Sequence, residues 1–165
     1  MTLKTVFLQD EIEIIRYTPS LSKPFYINME PLSLFRRCRF AIDYLYGYHV
    51  YYLSVDNSIV GYCTITSGKN PRFWFANKND IIIGPYYIDY KHRNKGLTTF
   101  LVDTVIHKCH PDWQRAYVYI LNDNLPSIHV TKKVGGSLLF HVHNTFYRKL
   151  VKRDDGEYGV YEVIK

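Results

Sequence analysis

Residues 81–104 read IIIGPYYIDYKHRNKGLTTFLVDT. The run 81–88 is apolar and aromatic, the pattern of a buried strand. It breaks at a cationic turn, Lys91-His92-Arg93-Asn94-Lys95-Gly96. From Leu97 the spacing becomes helical, with Leu97, Phe100, Leu101, Thr104 and Val105 on one face. A strand, a basic turn and a helix in direct succession make an anion site. The first N–H groups of a helix lack partners inside it, and the helix dipole is positive there. Gly96 lets backbone approach a phosphate without a Cβ in the way. Arg93 and Lys95 add charge-assisted hydrogen bonds at the rim. The stretch therefore reads as a phosphate site, and its shape suits a diphosphate. With one glycine it is neither the dinucleotide fingerprint nor a P-loop. On spacing alone, a solvated basic loop capping a core helix fits equally well.

The turn resembles the Gln/Arg-x-x-Gly-x-Gly/Ala motif that the GNAT superfamily of acyl-CoA-dependent N-acetyltransferases carries after its fourth strand. Here the motif reads Arg93-Asn94-Lys95-Gly96-Leu97-Thr98, and Thr98 departs from Gly or Ala. The Thr98 hydroxyl suits a phosphate oxygen, while its branched Cβ narrows the approach. A second segment, 124–136 (NLPSIHVTKKVGG), resembles the family's Asn-x-x-Ala/Ser…Lys-x-Gly-Phe segment. The two motifs stand in the family's order with a β-rich run, 116–121, between them. The resemblance covers about residues 45–140 closely and the N-terminal part by topology only.

The resemblance implies one GNAT-like acetyltransferase domain over residues 1–165. Its fold would be α/β (α+β) in three layers. A mixed, mostly antiparallel sheet of about seven strands, splayed between the fourth and fifth, would be flanked by about four helices. Acetyl-CoA would be the cosubstrate, held by Ile88, Arg93, Asn94, Lys95, Gly96, Leu97, Thr98, Asn124 and Ser127. The acceptor amine would attack the thioester directly, with no acyl-enzyme. That amine must be neutral, so a base or water chain takes its proton. A backbone N–H at Ile88 or its neighbour would polarise the carbonyl. Many members protonate the leaving thiolate with a Tyr seven residues after the motif Asn, but here that residue is Thr131, a very poor acid. Tyr86, Tyr87, Asn124 and Thr131 are the catalytic candidates by position, with Asp89, Glu30 and His49 as further proton carriers.

Composition narrows the rest. A chain of 165 residues with 47% hydrophobic and 22% charged residues has the make-up of one globular domain. Sixteen Tyr and nine Phe suit strands and a ligand cleft. The net charge of +6 suits a polyanionic ligand such as CoA. It is too dispersed to argue for nucleic acid, which calls for a concentrated basic stripe. Three cysteines without a CxxC suggest neither zinc nor a disulfide framework. No stretch reads as a signal peptide or a bilayer span, so a cytoplasmic protein without membrane partners is expected. A cysteine nucleophile lacks a matching His motif. His107 and His110 stand three apart on a helix with no nearby carboxylate or third His, and read as C-terminal cations rather than metal ligands.

Outside the two motifs, residues 5–17 hold at least one strand and 31–45 a helix. Arg36, Arg37 and Arg39 on that helix either face an anionic acceptor or form its wet face. Runs 49–55 and 59–67 form a hairpin across Asp56-Asn57-Ser58. The long connection 68–80, with Arg72-Phe73-Trp74-Phe75, either leans over the acceptor site or packs locally. Runs 137–142 and 158–164 read as the last two strands.

The acceptor is expected to be a small-molecule amine. The reading leans to an amino sugar of bacterial surface-polysaccharide synthesis, free or nucleotide-linked. Acetylation of a protein amino group, a non-catalytic acyl-CoA-binding or regulatory domain, and a basic RNA-binding protein are the alternatives. Oligomeric state stays open, a homodimer included.

Overall fold

The computed structural model describes residues 2–30, 33–110, 112–145 and 149–165, without the side chains of Phe35 and Arg36. Pro31 at the expected helix start, the Arg36 side chain and Pro111 after the second helix lie outside the described residues. The chain forms two compact units. The first comprises Met1–Ser67 and Ile83–Pro111, the second Gly68–Ile82 and Asp112–Lys165.

The first unit contains β1 (Thr2–Gln9), β2 (Ile12–Thr18), α1 (Leu34–Tyr46), β3 (Tyr48–Val55), β4 (Ser58–Ser67), most of β5 (Ile81–Ile88) and α2 (Leu97–Thr104). Its strands β1 to β4 pair antiparallel in chain order. The expected hairpin closes through Asp56 and Asn57, both at positive φ (51° and 60°), the backbone of a two-residue turn that matches strand twist. Alternation divides β3. Tyr48, Val50 and Tyr52 join Tyr17, Phe25, Phe40 and Tyr62 in a core cluster that includes α1. Tyr51 turns to the other face, where its hydroxyl meets His110 Nδ1 at 3.0 Å. In α2 the buried residues are Leu101, Val102 and Thr104, while Leu97 and Phe100 are half-buried. Val102, which the helical spacing leaves off the inner face, is thus core. The helix passes into a π-type turn over Val105–Cys109, which buries Val105, Ile106 and Cys109.

The second unit contains the start of β5, then β6 (Arg115–Leu121), α3 (Leu125–Lys133), β7 (Ser137–Asn144), β8 (Leu150–Lys152) and β9 (Tyr158–Ile164). β5 and β6 pair in parallel at Ile81↔Ala116 and Ile82↔Tyr117. β9 pairs antiparallel with both β6 and β7, and β8 pairs antiparallel with β7. The connection 68–80 packs locally, the second of its two readings. Phe73 is buried, Trp74 Nε1 donates to the Leu150 carbonyl at 2.8 Å, and the Phe75 ring lies 5.3 Å from Tyr117.

The hydrogen-bonded strand order is β1-β2-β3-β4-β5-β6-β9-β7-β8. There are nine strands rather than about seven, and three α-helices rather than about four among the described residues. The extra strands have local causes. Residues 5–17 hold two strands because Asp10 adopts φ +52° and reverses the chain. β8 is three residues long, too short for an alternation pattern to reveal. Among the described residues no helix is long and apolar enough to cross a membrane.

Candidate active site

In the first unit β5 ends at Ile88, and Asp89 starts a single 3₁₀ turn over Tyr90–His92, its Oδ1 accepting the Lys91 N–H at 3.0 Å. Asn94 and Gly96 both have positive φ, 63° and 76°. Gly96 is the N-cap of α2 and contributes no side-chain bond to it. The first turn of α2 thus keeps its N–H donors and the positive end of its dipole. A Cβ at Gly96 would meet nothing within 4 Å, so the backbone conformation, not crowding, is what selects glycine in this chain. Lys91, Arg93, Asn94 and Lys95 are exposed around the turn, and Leu97 and Thr98 are half-buried. This donor set fits a diphosphate.

The Arg93 guanidinium is more tied down than a rim cation. Its Nε donates to the Ile88 carbonyl at 3.0 Å, and its carbon lies 5.4 Å from the Tyr87 ring centroid. The direction of that carbonyl follows from the strand. Asp89 N–H donates to Val60 of β4 at 2.8 Å, and a Cβ on Gly61 would fall 2.6 Å from the Tyr87 oxygen. Tyr87 and Asp89 therefore direct backbone groups to β4. Because these groups alternate along a strand, Ile88 directs its N–H and C=O to the opposite edge. Tyr86 and Tyr87 are half-buried, and the Tyr87 ring stacks on Tyr62, centroids 6.2 Å apart at 26°.

In the second unit Asn124 caps α3, its Oδ1 accepting the Ser127 N–H at 3.3 Å, with Pro126 in the first turn. The helix ends in a full Schellman motif. Gly136 N–H donates to Thr131 O at 2.8 Å and Gly135 N–H to Lys132 O at 3.1 Å, with Gly135 at φ +88°. Thr131 is 1% exposed, and a Cβ on Gly136 would fall 2.5 Å from its Cγ2. That is the setting of a packing residue. The expected site residues thus form two local constellations. Tyr86, Tyr87, Ile88 and Arg93–Thr98 share the first unit, and Asn124, Ser127 and Thr131 share α3 in the second.

His49, His107 and the buried cysteines have the following surroundings. His49 lies beside Arg16 and His110, and burial pushes its pKa down to about 4. His107 Nε2 lies 3.7 Å from Asp103 Oδ1, so a carboxylate does stand one turn before it. No group of three or more metal-ligating side chains occurs among the described residues. Burial pushes the Cys63 and Cys109 thiols up to about 12 and about 11, far from a nucleophile's range.

One feature escaped the sequence. Four tyrosine hydroxyls of the first unit staple the irregular segment 23–30 to the sheet. Tyr17 donates to Lys23 O at 2.8 Å and Tyr48 to Pro24 O at 3.0 Å. The Tyr52 hydroxyl accepts from Tyr26 N–H at 2.9 Å and Ile27 N–H at 3.2 Å and donates to Ile27 O at 3.1 Å. Tyr62 donates to Glu30 Oε2 at 2.7 Å. The available signal was Tyr at 48 and 52, one face of a core strand, because buried phenol tips require partners.

The model of the acetyltransferase (GNAT) family matches residues 14–136. The chain belongs to that family. Its transferable group is therefore an acetyl, and acetyl-CoA is the cosubstrate. No curated protein sequence matches the chain. Among solved structures, the ribosomal L7/L12 alpha-N-protein acetyltransferase RimL, in complex with coenzyme A, is similar at TM-score 0.63 and 13% identity, covering 98% of both chains. The microcin C7 self-immunity acetyltransferase MccE, in complex with acetyl-CoA and AMP, is similar at TM-score 0.59 and 13% identity, covering 95% of this chain and 94% of that one. A chimera of the spermidine N-acetyltransferase SpeG from Vibrio cholerae and hSSAT is similar at TM-score 0.52 and 10% identity, covering 71% of this chain and 68% of that one. At these identities the likeness concerns the fold.

Proposed function

We propose that residues 1–165 act as one N-acetyltransferase domain, passing the acetyl group of acetyl-CoA directly to the primary amine of a small acceptor. The observation that carries this reading is the turn before α2. A left-handed Gly96 caps the helix without a side-chain bond, and Lys91, Arg93 and Lys95 surround it. In a chain of this family, that turn is the seat of the pyrophosphate. Arg93–Thr98 hold the diphosphate, and the Ile88 N–H polarises the thioester carbonyl. Thr131 takes no part in proton transfer, and the thiolate leaves without a tyrosine acid, since a thiol is far more acidic than an alcohol.

For the acceptor we favour an amino sugar of bacterial surface-polysaccharide synthesis. The support is the composition: aromatic faces suit a sugar ring, and a net charge of +6 suits a nucleotide diphosphate on it. The structural neighbours name two other classes, a protein amino terminus and spermidine. The same surplus of positive charge disfavours a polycation.

A thermal-shift titration with acetyl-CoA tests the cosubstrate. At about a hundred times its dissociation constant a ligand adds about 2.7 kcal/mol, which raises Tm by about 5–10 °C in a domain of this size. The shift disappears in Gly96→Glu. Thiol release with glucosamine, UDP-glucosamine, spermidine and a peptide amino terminus then ranks the acceptors. Acetyl-CoA binding without thiol release on any amine would favour the non-catalytic reading.

A further inference from the structure

We propose that Glu30 is the residue that receives the acceptor, holding its amine as an ammonium and taking the proton it sheds before attack. The inference rests on the N-acetyltransferase reading above and names the group at the acceptor end of that site.

The tyrosine staples supply the first argument. Tyr17, Tyr48 and Tyr52 bond backbone groups of segment 23–30. Those bonds satisfy an irregular segment whose N–H and C=O groups have no ladder. Tyr62 differs, because its hydroxyl fixes a carboxylate oxygen of Glu30 at 2.7 Å. A segment already held at Lys23, Pro24, Tyr26 and Ile27 has little need of a fourth anchor made from a charged side chain. The staples do what a binding group requires, which is to set a carboxylate in place before the ligand arrives.

Position supplies the second. The ring of Tyr62, whose hydroxyl holds Glu30, stacks on Tyr87. Tyr87 directly precedes Ile88, the residue whose N–H faces the edge of β5 away from β4. The Arg93 guanidinium lies over the same Tyr87 ring at 5.4 Å. A short chain of groups, Glu30, Tyr62, Tyr87 and Arg93, thus carries a negative charge at one end and a positive charge at the other. The Arg93 end belongs to the diphosphate turn. The Glu30 end suits the opposite charge, and in a chain of net +6 an ammonium needs a local carboxylate to enter at all.

The ammonium gives one proton to the Glu30 carboxylate, which later returns it to solvent. The neutral amine attacks the thioester carbon, the C–N bond forms and the C–S bond breaks. The second nitrogen proton leaves with the thiolate as CoA thiol. One ammonium and one acetyl-CoA give one acetamide, one thiol and one proton.

The test compares Glu30→Gln and Tyr62→Phe with wild type, using acetyl-CoA and the four amines named above. Both variants lose or weaken the same hydrogen bond, so a purely structural role of Glu30 makes Tyr62→Phe at least as damaging as Glu30→Gln. The proposal expects the reverse. In Glu30→Gln the acetyl-CoA thermal shift stays at its wild-type size. kcat/KM for the amine falls about a hundredfold or more, the scale of a lost general base. Tyr62→Phe loses less than about a tenth as much. Equal losses in the two variants, or wild-type kcat/KM in Glu30→Gln, would overturn the role of Glu30 and leave the acetyltransferase reading standing. Thiol release by wild type on none of the four amines would overturn the small-amine reading, and the role of Glu30 with it.

Discussion

Arg93 and Ile88 are joined by a hydrogen bond that folds the arginine back onto its own strand, Nε to the carbonyl oxygen at 3.0 Å. The bond satisfies a carbonyl on the β5 edge away from β4 and fixes the guanidinium over Tyr87. Arg93 therefore shapes the end of β5 as well as charging the turn. Arg93→Lys keeps the charge and loses the planar fork, so the two roles separate. We expect acetyl-CoA affinity to fall about tenfold in Arg93→Lys, roughly 1.4 kcal/mol. Calorimetric titration measures it, and unchanged affinity would confine Arg93 to a simple charge role.

Gly61 is set by a close approach rather than by its φ. A Cβ there would stand 2.2 Å from Ile88 Cδ1 and 2.6 Å from the Tyr87 oxygen. Gly61→Ala must push β5 away from β4 at the very residues assigned to the thioester. Overpacking of this kind costs about 1–3 kcal/mol. Denaturant unfolding should show that loss together with a fall in kcat, whereas full activity would mean that β5 absorbs the methyl group.

The three bonds of the Tyr52 hydroxyl make it the strongest staple of segment 23–30. Removing it leaves Tyr26 and Ile27 backbone groups without partners, at about 1–3 kcal/mol for the set. Tyr48→Phe removes one bond and should cost about 1 kcal/mol. The order of the two urea midpoints checks this, with Tyr52→Phe the lower.

Thr131 marks where many relatives place a tyrosine acid, and the structure buries it against Gly136. Installing that tyrosine here overfills the helix end. Thr131→Tyr is expected to lower stability by about 1–3 kcal/mol without raising kcat. Faster turnover in a folded Thr131→Tyr variant would restore the position as a proton donor.

His49 sets a pH dependence. Burial, with Arg16 and His110 nearby, lowers its pKa from 6.5 to about 4 in the folded protein. Below about 6.5 the unfolded chain therefore binds a proton that the folded one does not, and stability falls as pH drops from about 6.5 to about 4. His49→Gln should flatten Tm between pH 4 and 6.5, measured by calorimetry against wild type. An equally steep profile in the variant would assign the dependence to other groups.

What is local in this fold is legible in the sequence. β5, the basic turn, the onset of α2 and the Asn124 cap of α3 are each written in a few consecutive residues. Periodicity, a glycine forced to positive φ and a capping side chain act within one or two turns of chain. The Asp56-Asn57 hairpin was legible for the same reason. Whatever depends on partners distant in the chain follows from long-range packing. β8 exists because it lies beside β7, the 68–80 connection packs because Trp74 finds Leu150, and Thr131 is buried where Gly136 packs against it. Arg93 turns inward because an Ile88 carbonyl faces the edge of β5. The tyrosines are the sharpest case. Their number was visible in the sequence, but a phenol's partner lies wherever the fold brings an acceptor to its tip. Tyr62 and Glu30 stand 32 residues apart and meet only when segment 23–30 is laid across the strands.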